Sequence, residues 1–413
     1  MREDTGSGVE SREKNEARLT IEEVRRNGAQ RMLQRAIQVE VAVYLEAHRE
    51  VVDPVTGRQM VVRNGHLPER SLQTGIGAIP VRQPRVRDRR PGEKFTSQLL
   101  PPYMRRVPSL EALIPLLYLK GLSTNEFPEA LKAILGEEAG GLSPATIVRL
   151  KAAWEEEYQE WAQGSLEGKR YVYFWADGVY LNVRLTEERP CLLVIVGALE
   201  DGTKELVALL DGERESKLSW AGVFQSLKKR KLAQGPKGAV GDGALGFWEA
   251  LEEAYPGCRP QRCWVHKTAN VLDKLPKKVQ HGAKDRIHEM YMAPTKKAAL
   301  EAYEDFLKEY QAKYPKACEC LQKDRDVLFT FYDFPAEHWI HLRTTNPIES
   351  AFSTVKHRQR QTKGNGSRLA ALTMAFKLAR EAEKHWKKLH HYGLLLKVVQ
   401  GVRFEDGLEL KAA

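Results

Sequence analysis

The chain has 413 residues, 42% of them hydrophobic, and carries 65 Lys plus Arg against 55 Asp plus Glu, a formal charge of +10. That length exceeds one ordinary domain, so two or three are expected, and the positive balance makes a polyanion the natural partner. Five cysteines in no regular framework argue against a secreted disulfide scaffold, and no run approaches the roughly 18 apolar residues of a membrane span, so a cytoplasmic protein with reduced thiols and no membrane partner is expected.

Residues 1–18 are polar and read as a disordered tail. Val24, Met32, Leu33, Ile37, Val41 and Leu45 then recur roughly at helical spacing. Between Arg58 and Arg106, eleven basic residues stand against three acidic ones. Short strands such as Ile79–Val86 fit a small sheet here. The basic excess favours a DNA-binding region over 19–108 rather than a solvated linker, with Arg82, Arg85 and Arg87 as candidate contacts. Leu110–Leu119 reads as a helix, and Ser123 with Glu126 forms a capping box for another that ends near Gly136. After a Gly140-Gly141 turn, Ser143 caps and Pro144 opens a helix to about Trp161, which carries Arg149 as a further candidate contact. Helix pairs of this kind are common in plain bundles, so the pattern alone does not decide for a helix-turn-helix-like domain over 109–168.

From Tyr171 the texture changes to strands. Tyr171, Tyr173, Trp175, Val179, Leu181, Val183 and Leu185 share one parity through Asp177-Gly178, which predicts one long strand and not a hairpin there. Cys191–Glu200 and Lys204–Leu210, joined by a turn at Asp201-Gly202, supply two more. A helix over about Leu218–Leu232, a short strand Lys237–Asp242, a helix Leu245–Tyr255 and a fifth strand Arg259–Trp264 follow. This is the α/β order of a ribonuclease-H-like core: a mixed five-stranded sheet flanked by helices. Residues 267–340 show only helical texture and read as an all-helical insertion. The core is therefore expected over 169–266 and 341–390, with a frayed tail at 391–413.

Three carboxylates in this frame point to chemistry. Asp177 sits at the apolar parity of a buried strand, where an unpaired charge is costly unless a cation compensates it. Asp242 ends a short strand between glycines that allow close backbone approach. For both, a plain Asp-Gly turn is the alternative. Glu349 follows Asn346 and Pro347, so its alternative is a capping box, with Asn346 as the cap. Against that, Glu349, Ser353, Lys356 and Arg360 form a polar stripe beside the apolar Ile348, Phe352 and Val355. From Thr354 to Lys388 ten bases face two acids, whereas Tyr171–Ser216 carries nine acids and four bases. An acidic island in a basic chain suits a cation-loaded site acting on nucleic acid. Hard oxygen ligands select two Mg²⁺ ions, with Mn²⁺ as a substitute, for in-line displacement at phosphorus.

The segments VRNGHLPERSLQTGIGAIPVRQPRVRD, YLKGLST, ADGVYLNV, VGDGALGF, CWVHKTANVL and above all RTTNPIESAFSTVKHRQRQTKGNGS resemble the Mutator-type transposases of bacterial insertion sequences. The resemblance runs from about Leu45 to the end of the chain. It implies a three-acid catalytic and metal-binding site at Asp177, Asp242 and Glu349, and a ribonuclease-H-like domain interrupted by helices before the glutamate. It further implies binding to terminal inverted repeats, nicking at the element ends and transfer of the 3′-hydroxyl to target DNA, in a nucleoid-associated bacterial protein acting as a homo-oligomer, at least a dimer in the synaptic complex. Lys356 and Arg360, with Arg358 and Lys363 beside them, are then DNA contacts, and Cys263, His266 and Asn346 neighbour the active site. Cys263 and His266 also invite a zinc reading with Cys258, Cys318, Cys320, His281 or His288, but the spacings are irregular and one Cys-x-x-His is half a site. Two other readings of the same residues are a nuclease or resolvase that cuts without joining, and a transposon-derived DNA-binding regulator.

Overall fold

A computed structural model describes residues 21–102, 104–107, 144–183, 189–212, 214–243, 245–362 and 367–410. Its contacts divide the chain into a first unit reaching Ile147 and a second running from Val148. The expected tail at 1–18, the helix Leu110–Leu119, the capping box at Ser123 and the turn before Pro144 lie outside the described residues, as does Lys363.

In the first unit, helix α1 (Ile21–Ala47) precedes four short strands, β1 (Val61–His66), β2 (Arg70–Thr74), β3 (Gly77–Val81) and β4 (Pro84–Asp88). They form two antiparallel pairs, β1 with β4 and β2 with β3. Ile79–Val86 is therefore two strands belonging to different pairs. The break has a physical cause. Pro84, with no amide to donate, opens the second strand, and the backbone of Arg82 is taken up by a side chain: Gln34 Nε2 donates to its carbonyl at 2.7 Å and Gln34 Oε1 accepts its amide at 3.1 Å. Ile37 of α1 joins Leu72, Ile79, Val81 and Leu100 in the core of this unit. Val24 and Met32, counted in the apolar stripe of α1, are exposed.

The second unit begins in helix α2 (Pro144–Gln163) and contains β5 (Tyr171–Tyr180), β6 (Cys191–Leu199), β7 (Lys204–Gly212), α3 (Lys217–Lys229), β8 (Gly238–Gly241), α4 (Leu245–Ala254) and β9 (Arg259–Arg262). The five strands make one sheet in the order β7-β6-β5-β8-β9. β5, β6 and β7 pair antiparallel, while β8 and β9 run parallel to β5. β5 and β6 lie at the centre, which is why nearly every residue of both is buried and no polar alternation survives. Phe174, Ala176 and Ile195 meet Trp220 and Phe224 of α3 and Phe247 of α4 in the core cluster. This is the mixed α/β sheet flanked by helices that the strand order predicts. Four strands are shorter than expected, β6 and β8 by no more than one residue at either end. β5 stops at Tyr180, although Leu181 N–H still bonds the Pro190 carbonyl at 3.0 Å; β9 stops at Arg262 because Trp264 already starts a helix.

Between β9 and residue 342 the chain is helical without a strand: α5 (Trp264–Leu272), α6 (Lys277–Met292), α7 (Lys296–Tyr310), α8 (Pro315–Gln322), α9 (Arg325–Leu328) and α10 (Trp339–Leu342), with two short 3-10 turns before α10. It leaves and returns at one place, where Trp264 N–H bonds the Arg343 carbonyl at 2.9 Å. α11 (Asn346–Thr362) and α12 (Arg368–Glu383) follow. Helix α2 packs with this unit: Tyr158 donates to the Leu209 carbonyl of β7 at 2.9 Å, and the Tyr158 and Trp161 rings lie on Phe376 of α12. Within 391–410, the described part of the expected frayed tail, the chain forms α13 (Leu395–Val399) and the hairpin β10 (Phe404–Glu405) and β11 (Leu408–Glu409). Ala336 N–H and the Tyr332 carbonyl hold that hairpin through both backbone groups of Gly407.

Candidate active site

The parallel pairing of β5 with β8 sets Ala176 opposite Gly241. Asp177, the next residue of β5, and Asp242, which directly follows β8, are therefore neighbours across this pairing, both half-buried. After Asp242 the chain turns at Gly243, whose φ of +90° suits only glycine, and a Cβ there would lie 2.3 Å from the Arg262 guanidinium carbon. Arg262 is itself buried and paired with Asp324 at 3.0 Å. Burial pushes the Asp177 carboxyl up to about 6; His266 opposes the shift and Asp242 adds to it.

The third strand end brings the Cys-x-x-His element. Cys263 N–H bonds the Gly241 carbonyl at 2.8 Å, extending the ladder by one step, and the chain then turns into α5 with His266 in its first turn. Cys263 is fully buried. Its sulfur accepts the Thr345 amide at 3.4 Å and lies 3.5 Å from the Thr345 hydroxyl, which is also 3.5 Å from His266 Nδ1. On its other side, His266 Nε2 stands 3.9 Å from Glu349 Oε1. A hydrogen bond with Cys263 raises the His266 imidazole to about 9 against the effect of burial, and the charges of Asp177 and Asp242 push the same way. Burial alone would raise the Cys263 thiol, but hydrogen bonds from His266 and Thr345 outweigh it and hold the thiol below its ordinary value.

Glu349 stands one position further into its helix than a capping box requires. The Thr345 carbonyl accepts both Ile348 N–H at 2.9 Å and Glu349 N–H at 3.2 Å, so Thr345 is the cap and Asn346 the first helical residue. The Asn346 amide bonds the Thr344 hydroxyl at 3.3 Å. α11 packs on β5 and β6 through the fully buried Ile348, Phe352 and Val355, with Ser353 and Lys356 exposed beside them. The Lys356 charge acts to lower the Asp177 pKa. Arg358 and Arg360 lie further along α11 and Arg149 on α2; their side chains are outside the described residues. Arg82, Arg85 and Arg87 are exposed in the first unit, the last two on one face of β4.

One acid at this place was not singled out in the sequence. Glu215, between β7 and α3, lies against Gly178: a Cβ on that glycine would fall 2.1 Å from Glu215 Oε1. Burial, then the charges of Asp242 and Asp177, push its carboxyl up to about 7. The only sequence signal was its membership of the acidic stretch Tyr171–Ser216. The zinc candidates do not assemble: among the described residues no three His, Cys, Asp or Glu side chains converge to hold a metal ion. His281 is at the surface beside Asp285, and Cys258 and Cys318 are buried apart as free thiols.

Residues 2–389 match the family described as "Transposase, Mutator family". The chain belongs to the Mutator family of transposases. It is 48% identical over 298 residues to the transposase for insertion sequence element IS6120 of Mycolicibacterium smegmatis, covering 72% of this chain and 92% of that protein. It is 49% identical over 287 residues to the transposase for insertion sequence element IST2 of Acidithiobacillus ferrooxidans, covering 68% and 95%. The transposase for insertion sequence element IS905 of Lactococcus lactis is 30% identical over 344 residues, 83% of this chain and 84% of its own. In this Mutator-family chain, four of the segments that carry the resemblance meet in space: those containing Asp177, Asp242, Cys263 with His266, and Thr345 with Glu349.

Proposed function

We propose that this chain is the transposase of an insertion sequence, which binds terminal inverted repeats, cleaves at the element ends and joins the freed 3′-hydroxyl to target DNA, with Asp177, Asp242 and Glu349 as its acidic trio on a ribonuclease-H-like core. The observation that carries the reading is the parallel register of β5 and β8, which delivers Asp177 and Asp242 to one edge, together with a helix that brings Glu349 to the histidine beside them. Half-buried carboxylates, with Asp177 raised first by burial and further by the charge of Asp242, fit a hard divalent cation, which would offset both. No all-protein cage is needed, because Mg²⁺ keeps several waters and takes the rest of its shell from one or two carboxylates and substrate phosphates. Two such ions, held by the trio, would supply activation of the attacking oxygen and stabilisation of the leaving one.

The chain's own groups have separate tasks in this reading. His266, protonated at neutral pH, offers a positive charge and a proton donor next to Glu349. Thr345 and Cys263 fix its ring from the other side. Lys356 and the bases beyond it on α11 track the DNA backbone away from the acids, while the exposed arginines of β4 contribute end binding. The helical residues 267–340 form an insertion in the core, and joining two ends takes at least two subunits.

The test is a pair of assays on Asp177→Asn, Asp242→Asn and Glu349→Gln. Each is expected to abolish Mg²⁺-dependent nicking and also strand transfer from pre-cleaved ends, while leaving binding to the terminal repeat nearly intact. Wild-type protein that nicks but never joins pre-cleaved ends would make it a nuclease. A Glu349→Gln variant with normal cleavage would remove Glu349 from the site.

A further inference from the structure

We infer that the outer face of α1 is a self-association surface, on which a second copy of this chain lays its own α1 antiparallel. The proposed function asks for two subunits without saying where they meet, and this face is the meeting place. α1 spans 27 residues, about 40 Å of helix. Ile37, in the core of the first unit, and Val41 are buried. Ile21, Val24, Met32, Val39 and Val43 are exposed, Met32 by 75% and Val43 by 64%. At about 100° per residue these five, with the exposed Gly28 and Ala42, fall within about 60° of one line along the helix, opposite Ile37 and Val41. Single exposed apolar residues are ordinary, but a second apolar face along a whole helix marks a contact surface.

The face is complementary to itself. Turned about a two-fold axis between Arg35 and Ala36, a second α1 sets Met32 on Val39, Gly28 on Val43 and Val24 on Ala47, each twice, and Arg25 opposite Glu46 at both ends. Arg25 takes part in no ion pair among the described residues, and Glu46 holds only an exposed one with Arg49 at 3.4 Å. A parallel pair would instead face Arg25 with Arg25 and Arg35 with Arg35. Gly28 points the same way. Glycine weakens a helix interior relative to alanine, and a Cβ at Gly28 would meet nothing within 4 Å in its own chain. An antiparallel neighbour that brings Val43 over this position supplies the steric reason that the chain itself lacks. DNA is the competing occupant, because Arg25, Arg31 and Arg35 are exposed on α1. Phosphates give no reason for exposed Met32, Val39 and Val43 among those bases, and Glu46 and Glu50 at the far end repel them.

The experiment is sedimentation velocity of the full chain without DNA across micromolar concentrations, with melting curves and binding to random-sequence duplex alongside. A seam one helix wide is at the small end of specific interfaces, so wild type is expected to pass from monomer to dimer as concentration rises. Met32→Glu should raise the dimer dissociation constant by about a hundredfold or more, since it puts two unpaired carboxylates into an apolar seam, and should leave the fold intact because the side chain points outward. Arg25→Glu and Glu46→Arg should each weaken the dimer by about three- to tenfold, and the two together should restore it. A wild-type chain that stays monomeric, or a dimer that Met32→Glu leaves intact, would overturn the inference. An intact dimer with weakened duplex binding in Met32→Glu would assign the face to DNA. A dimer weakened by both single reversals and not restored by the pair would overturn the antiparallel arrangement. None of these outcomes bears on the acidic trio, which stands or falls on nicking.

Discussion

His266 is where several independent interactions meet. It holds Thr345 through one ring nitrogen and faces Glu349 with the other. The sequence placed it near the acids as part of a short motif, but nothing in the pattern around Thr345 shows that this residue ties the motif to the glutamate helix. His266→Ala is expected to lower cleavage by about 10²–10⁴-fold, the usual loss for a proton-transferring or charge-stabilising group, with the melting temperature nearly unchanged. Cys263→Ser keeps the shape and should leave most activity. Purified protein should contain no stoichiometric zinc; zinc lost together with stability in either variant would make the pair a structural metal site instead. Glu215 was illegible because nothing local distinguishes it. A glutamate in a turn has no periodicity, and only the tertiary approach of Gly178 shows what it touches.

At the level of elements, the sequence pattern was enough to place all five strands of the sheet and both helices between them, because the single parity of β5 and the apolar runs of β6 and β7 are set by residue type alone. Ends were less legible. The start of α11 moved by one residue because Thr345, not Asn346, offers the first carbonyl, and this is what separates Glu349 from a capping role. The glycines at 178 and 246 give an element-level test with opposite expectations. Gly178→Ala meets only the movable end of the Glu215 side chain, so the fold should hold. Gly246→Ala meets backbone atoms of Ser216 and Lys217, and overpacking there should cost about 1–3 kcal/mol in chemical denaturation. A larger stability loss at 178 than at 246 would contradict the packing described for α3 and α4.

Over the whole molecule, charge and burial give two further expectations. If Arg85 and Arg87 neutralise phosphates, replacing both by Ala in the full chain should reduce the slope of log affinity against log salt by about 0.9 for each phosphate so released. An unchanged slope would place end binding elsewhere. His341 is held neutral, its pKa pushed down to about 4 by burial and then by Lys204 and His338. The unfolded chain binds that proton more readily, so its contribution to stability is full above the ordinary value near 6.5 and is lost as pH falls toward 4. His341→Gln should accordingly flatten the fall in stability over that range by about one proton. The helical excursion has a consequence of another kind. Its mouth is one hydrogen bond wide, Trp264 to Arg343, with Cys263 and Thr345 joined just inside the core. In polymer terms it is a loop already closed, and enlarging such a loop adds only about 0.6 kcal/mol per doubling of its length. Its size is thereby uncoupled from the place where Glu349 arrives. A flexible stretch spliced into the exposed turn at 311–313 should change the bulk of the protein and leave the register of its acids alone.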